Sequence, residues 1–109
     1  MEQKRKLIRP AKNDDIQNVA REAVSTGYYL FSAHALDRMR QRRITQMDIK
    51  DVLLKGRREK RKDEYDGQNR CWKYAWRGTD EQARLLRVII REHAPRILII
   101  TVIDLESRP

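Results

Sequence analysis

Two apolar runs near the C-terminus constrain this chain more than any other feature. Leu85–Glu92 and Arg96–Leu105 hold its densest apolar content, and Ala94-Pro95 separates them. Proline cannot donate to a ladder, so it breaks regular structure there. The longest apolar stretch, Ile97–Ile103, has the length of a buried strand and falls well short of the roughly 20 residues that span a bilayer. Two strands joined by so short a turn pair antiparallel. Strict alternation along the second strand places Ile97, Ile99, Thr101 and Ile103 on one face and Leu98, Ile100, Val102 and Asp104 on the other.

The strands before this hairpin extend the same pattern. Cys71–Arg77 alternates, with Trp72, Tyr74 and Trp76 on one side and Cys71, Lys73, Ala75 and Arg77 on the other, and Gly78-Thr79-Asp80 turns the chain into the hairpin. Asp66-Gly67 is a turn signal, and the charged Arg57–Tyr65 reads as an edge strand. Upstream the period changes to helical. Ile16, Val19, Ala20, Ala23 and Val24 recur within Asp15–Thr26, and Gly27 ends that helix. Tyr28–Phe31 reads as a brief extended segment. Ser32 caps a second helix, Ala33–Arg43. Thr45 with Asp48 forms a capping box for a third, in which Met47, Ile49, Val52, Leu53 and Leu54 share a side and Gly56 follows the end. The fold class is therefore α+β: N-terminal helices followed by an antiparallel sheet of about four strands, with the helices on one face. Residues 1–10 read as a basic flexible arm and residues 11–109 as a single domain.

Charge narrows the function classes. The 109 residues include 25 Lys and Arg against 16 Asp and Glu, a formal net charge of +9. Such an excess attracts polyanions, among which RNA is the favoured partner. No apolar run points to a membrane, and the charged N-terminal residues MEQKRKLIRP contain no apolar core of a signal peptide. Cys71 is the only cysteine, which rules out an intrachain disulfide and suits a reducing cytoplasm. Two histidines and one cysteine supply too few ligands for zinc, and no cofactor motif is present.

The second helix is the most informative stretch. His34, Arg38 and Arg42 recur at i, i+4 and i+8 and form one stripe, beside an apolar arc of Ala35, Leu36 and Met39. The helix can dock through Met39 and still present the stripe. A ladder of arginines repels itself, and an anion would relieve that cost, aided by the free N–H groups of the first turn near Ser32. In the plainer alternative, Arg38 and Arg42 are solvated and partnered by Asp37 and Asp48. A second basic set lies on the strands: Lys73 and Arg77 on one, Arg87 and Arg91 on the next, all candidates for phosphate contact across an open sheet face. Trp72, Tyr74 and Trp76 read as core rather than as a platform for bases. Nothing singles out His93, Glu64 or Tyr65.

The segment Phe31-Ser32-Ala33-His34-Ala35-Leu36-Asp37-Arg38-Met39-Arg40-Gln41-Arg42-Arg43-Ile44, the helix ending Leu53-Leu54-Lys55-Gly56, and the strand ending Ile99-Ile100-Thr101-Val102 together resemble a bacterial domain family grouped with the RelE-like toxins, within the barnase–EndoU–colicin–RelE ribonuclease fold. The resemblance covers about Tyr29–Asp104. It implies a metal-independent RNA endonuclease, the toxin of a toxin–antitoxin pair, acting on RNA that can be ribosome-bound mRNA and held in check by an acidic antitoxin protein. On that reading His34 is the acid/base group, Arg38 and Arg42 hold the phosphate, and Thr101 orients His34 or a phosphate oxygen. Many members have Gly where this chain has Arg43, and Tyr where it has Ile103. Any role of that Tyr is then absent or filled elsewhere. A non-catalytic nucleic-acid-binding module is the alternative that the charge alone equally supports.

Overall fold

The computed structural model describes residues 9–106. In it the two apolar runs pair with each other and with a third long strand. The elements are α1 (Ile16–Thr26), β1 (Tyr29–Phe31), α2 (Ala33–Arg42), α3 (Gln46–Lys55), β2 (Arg57–Arg58), β3 (Glu64–Asp66), β4 (Cys71–Thr79), β5 (Leu85–His93) and β6 (Arg96–Asp104), with a 3₁₀ turn at Lys60–Lys62 between β2 and β3. β4, β5 and β6 form an antiparallel meander. The order across the sheet is β1-β6-β5-β4-β2, with β3 pairing separately with β4. The class is α+β, as the sequence implies, with a wider sheet than four strands.

Two additions account for the extra width. The Tyr28–Phe31 segment joins the sheet as β1, parallel to β6 through Tyr29–Ile97, Leu30–Leu98 and Phe31–Ile99. The single edge strand expected over Arg57–Tyr65 is instead broken into β2, opposite Arg77 and Trp76, and β3, opposite Lys73, Trp72 and Cys71. Between them the chain leaves β4, and its edge at Ala75 is satisfied by the Glu59 N–H, which donates to the Ala75 carbonyl at 2.8 Å, together with two side chains. Asp63 accepts from the Ala75 N–H at 2.9 Å, and Arg58 donates to the Ala75 carbonyl at 2.7 Å. Arg58 also grips Asp63 through two hydrogen bonds of 2.9 and 2.6 Å. Its guanidinium lies 4.9 Å from the centroid of Trp76 and 5.5 Å from that of Tyr74.

The helices cover one face of the sheet. Ile16, Ala20, Ala23 and Val24 of α1, Ala35 and Met39 of α2, and Ile49, Val52 and Leu53 of α3 pack on Tyr74, Trp76, Leu86, Val88, Ile90, Ile97, Ile99 and Val102. Met47 is exposed rather than part of this group. The α3 capping box is present, with Thr45 Oγ1 accepting from the Asp48 N–H and Asp48 from the Thr45 N–H. α2 ends at Arg43, whose φ of 55° and ψ of 46° place it in the left-handed region. This conformation favours glycine and costs another residue about 1–2 kcal/mol. The Gly that the resemblance expects at this position therefore has a conformational reason.

β6 departs from strict alternation. Ile90 pairs with Ile99 and Ile89 with Thr101, so Ile100 is an extra residue, a bulge. The core side of β6 consequently switches from Ile97 and Ile99 to Val102, and Thr101 and Ile103 turn to the opposite face.

Most of the expected N-terminal arm lies outside the described residues, but Arg9 and Pro10 are docked. The Pro10 carbonyl accepts from the Trp72 indole at 2.7 Å, and Arg9 lies over the Tyr65 and Trp72 rings. Lys12 reaches Asp63 at 3.0 Å, and Asn13 donates its N–H to the Tyr74 hydroxyl at 2.9 Å. Residues 9 and 10 of the expected arm thus contact β3 and β4.

Asp63 has no exposed side-chain area. Burial opposes its charge, but hydrogen bonds from Arg58, the Ala75 N–H and Lys12 outweigh that, so its carboxyl titrates below the ordinary value of 3.8. A lowered folded pKa means that the stabilisation is present above the ordinary value and lost as pH falls towards the folded one. Asp63→Ala, which strands the Arg58 charge, should cost about 3–5 kcal/mol. In Asp63→Asn the loss of stability between about pH 5 and pH 3 should be smaller than in the unmodified chain, as read by urea denaturation at the two pH values.

Candidate functional site

β1 pairs only with Ile97–Ile99, so past the bulge the outer side of β6 is left to α2. Ser32 ties the two together. Its N–H donates to the Ile99 carbonyl at 3.0 Å, its Oγ donates to the bulged Ile100 carbonyl at 2.7 Å, and the same Oγ accepts from the Ala35 N–H at 3.0 Å. The hydroxyl that the sequence suggested as an anion-friendly group is therefore engaged in holding α2 on β6. At the far end Arg84 donates to the carbonyls of Arg42 and Arg43, at 2.6 and 3.0 Å, with its Nε on Asp80 at 2.8 Å. A cation against the last carbonyls of a helix also complements its dipole. Burial opposes the charge of Asp80, but hydrogen bonds from the Arg84 N–H, the Arg84 side chain and the Gln82 N–H hold its carboxyl below the ordinary value.

With both ends pinned and Ala35 and Met39 buried, the orientation of α2 is determined. The stripe then faces β6. His34, Arg38 and Arg42, together with Thr101, Val102, Ile103 and Asp104, line a cleft of about 350 Å³. The four residues named from the sequence for catalysis, His34, Arg38, Arg42 and Thr101, thus meet in one place, although about 60 positions separate the last from the others.

The acidic residues proposed as plain partners of the stripe are engaged elsewhere. Asp37 binds Arg40 at 2.8 Å, and Asp48 serves the Thr45 cap and meets Arg84 at 3.4 Å. Among the described residues, the side chains of His34 and Arg38 make no hydrogen bond or ion pair, and both residues are exposed. Asp104 is a cleft residue that sequence reasoning did not select. Its Oδ1 accepts from the Glu106 N–H at 3.0 Å. The one available signal was its position three residues after Thr101. Ile103 contributes an apolar wall to the cleft.

The second basic set is not brought into this cleft. Arg77, Arg87 and Ile103 stand opposite one another across β4, β5 and β6, on the face turned away from the helices. Arg87 is clamped on Glu59 by two hydrogen bonds of 2.6 and 3.1 Å, and Arg77 lies 3.7 Å from the same carboxylate. Lys73 meets Glu64 at 3.6 Å, and Arg91 donates to the Cys71 sulfur at 3.7 Å. Their side chains do lie on the open face, but Arg87 is largely neutralised there. Among the described residues no group of three or more His, Cys, Asp or Glu could hold a metal ion, and no helix is long and apolar enough to cross a membrane.

A family model described as a domain of unknown function, DUF4258, matches residues 31–104. The chain belongs to the DUF4258 family. The matched span begins in β1 and ends on the last residue of β6, so it contains the whole cleft, while α1 and the docked residues 9–13 precede it. No curated protein and no solved structure matches the chain.

The geometry separates stability from access. Met39→Ala should cost about 2–5 kcal/mol because the side chain is buried. Arg87→Ala should cost about 1.5–3 kcal/mol by stranding Glu59. Arg38→Ala should leave the denaturation midpoint within error of the unmodified chain. A destabilising Arg38→Ala alongside a neutral Met39→Ala would mean that α2 is rotated away from the orientation described.

Proposed function

We propose that this DUF4258 protein is a metal-independent RNA endonuclease whose reaction takes place in the α2–β6 cleft, and that it acts as the toxin of a toxin–antitoxin pair, as its resemblance to RelE-like toxins implies. The convergence of His34, Arg38, Arg42 and Thr101 on one cleft carries this reading. RNA brings its own nucleophile. The 2′-hydroxyl loses its proton to a base, its oxygen bonds to phosphorus, and the 5′-oxygen leaves with a proton, giving a 2′,3′-cyclic phosphate and a 5′-hydroxyl. An exposed imidazole suits the proton transfers, because histidine as a class changes charge near neutral pH. The guanidinium forks of Arg38 and Arg42 match the geometry of a phosphate and would stabilise the charge that builds on its oxygens. Thr101 supplies a hydroxyl beside them. The exposed cations would serve equally to bind the acidic antitoxin, and mRNA on the ribosome is a natural form of the substrate.

One observation favours a second reading. The cleft wall at Ile103 is apolar, so His34 has no phenol to share the acid/base work. A non-catalytic RNA-binding module needs no such pair.

One experiment decides between the two. The purified protein is incubated with RNA in EDTA, and the ends of the products are analysed. Cyclic phosphate ends are expected, and His34→Ala should slow cleavage by about 10²–10⁴-fold with little change in RNA affinity. Binding without cleavage in the unmodified protein would leave the module reading in its place.

A further inference from the structure

A second cleft, with a volume of about 590 Å³, lies where the end of α3 meets β2 and β4. Two glycines, Gly56 and Gly78, lie in its wall. A Cβ on Gly56 would lie 2.6 Å from the Arg77 carbonyl oxygen, and one on Gly78 would lie 3.0 Å from the Gly56 Cα. Backbone approaches backbone there, closer than a residue with a Cβ allows, and cations surround the cleft beside it. Lys55, Arg57 and Arg77 line the cleft, against the single carboxylate of Glu59. Lys55 is 79% exposed, with Asp51 no nearer than 3.9 Å. It also offsets the partial negative charge of the last α3 carbonyls. Arg57 is exposed. Arg58 lines the cleft too, but its guanidinium is committed to Asp63.

This cleft is connected to the first. Arg57 stands opposite Arg77, Arg77 opposite Arg87, and Arg87 opposite Ile103. Residues directly opposite in a ladder share a face, so these four form one row across the sheet. Ile103 lines the His34 cleft and Arg77 lines the larger one. Two strand-to-strand steps, roughly 10 Å, separate them. Within the row Glu59 sits on Arg87 as a two-pronged anion and reaches Arg77. A carboxylate and a phosphate use the same guanidinium fork in the same way.

We propose that the Lys55–Arg57–Arg77 cleft is a second phosphate site for the RNA strand that occupies the His34 cleft, and that Glu59 is its resident competitor, displaced from Arg77 when a backbone phosphate arrives. This rests on the chain being an RNA-binding protein. Glu59 then offsets part of the affinity gained at the second cleft, and only a strand long enough to reach both clefts binds tightly.

The test uses uncleavable 2′-O-methyl RNA of 4 and 12 nucleotides and fluorescence anisotropy at several salt concentrations. In the unmodified protein the longer strand should bind more tightly. Lys55→Ala/Arg57→Ala should lose that gain, and its slope of log K against log salt should shrink by about 0.7 for each phosphate contact removed. Glu59→Gln should bind the 12-mer more tightly than the unmodified protein, with a slope steeper by about 0.7. A double variant that keeps the full gain with length overturns the second site and leaves the reading of the His34 cleft intact. A Glu59→Gln variant that melts earlier yet binds the 12-mer no more tightly makes Glu59 a structural tie only and overturns its role as competitor. If the unmodified protein binds neither strand, the RNA reading fails, and the second site fails with it.

Discussion

The hydroxyl of Ser32 on the carbonyl of Ile100 is the contact on which the candidate site depends. α2 has ten residues and buries only Ala35 and Met39, which is little to fix a helix of that length. The serine supplies what packing does not. It starts the helix by capping Ala35 and locates that start on β6 by taking up a carbonyl that the bulge turns away from β5. A buried carbonyl left without a donor costs about 1–3 kcal/mol, so bulge and serine form a mutual requirement. Arg84 completes the arrangement from the other end. The positions of His34 and Arg42 are thereby set by backbone contacts outside the cleft, made by Ser32 at one end of the helix and Arg84 at the other.

The net charge of +9 is not spread as a uniform basic coat. Several arginines act as braces. Arg58 spans the gap in the β4 edge through Asp63, Arg84 links the end of α2 to Asp80, and Arg87 links β5 to Glu59. A small domain has a limited apolar core, and a planar guanidinium with five donors can satisfy several backbone and carboxylate oxygens at once. Among the cations that stay exposed, Arg38 beside β6 and Lys55 and Arg57 beside the paired glycines stand where the surface is concave, while others, such as Arg21, Arg61 and Arg96, lie away from both clefts. Low-dielectric walls around such hollows intensify the field felt by an approaching polyanion.

The sequence made the helices and the long strands legible because each has a local cause: the Thr45–Asp48 box, the Ser32 cap, the apolar period of Leu85–Ile103. The stripe on α2 was legible for the same reason, since helical spacing alone aligns His34, Arg38 and Arg42. The bulge at Ile100 was not, because Leu98, Ile100 and Val102 are all apolar and alternation cannot show where the phase slips. The break between β2 and β3 was hidden because it depends on Asp63 meeting Arg58 and Ala75, contacts that span up to 12 positions. Arg87 looked like a free phosphate ligand on its strand. Only the fold reveals that Glu59, 28 positions earlier, lies against it. Local signals predicted elements, while the pairing of charges required the tertiary structure.

The divided outer border of β4 has a consequence for how these molecules coexist at high concentration. An uninterrupted border offers a row of idle amides that a neighbouring chain can zip onto, the first step of ribbon-like aggregation. Here β2 and β3 occupy the two ends, and the middle, at Ala75, is closed by the Asp63 carboxylate, the Arg58 guanidinium and the Glu59 N–H. On the opposite border β1 is only three residues long, and past it α2 stands alongside β6 with its row of positive charge. Copies of the molecule that meet border to border therefore find little template for pairing, and the positive row on α2 sets them against one another.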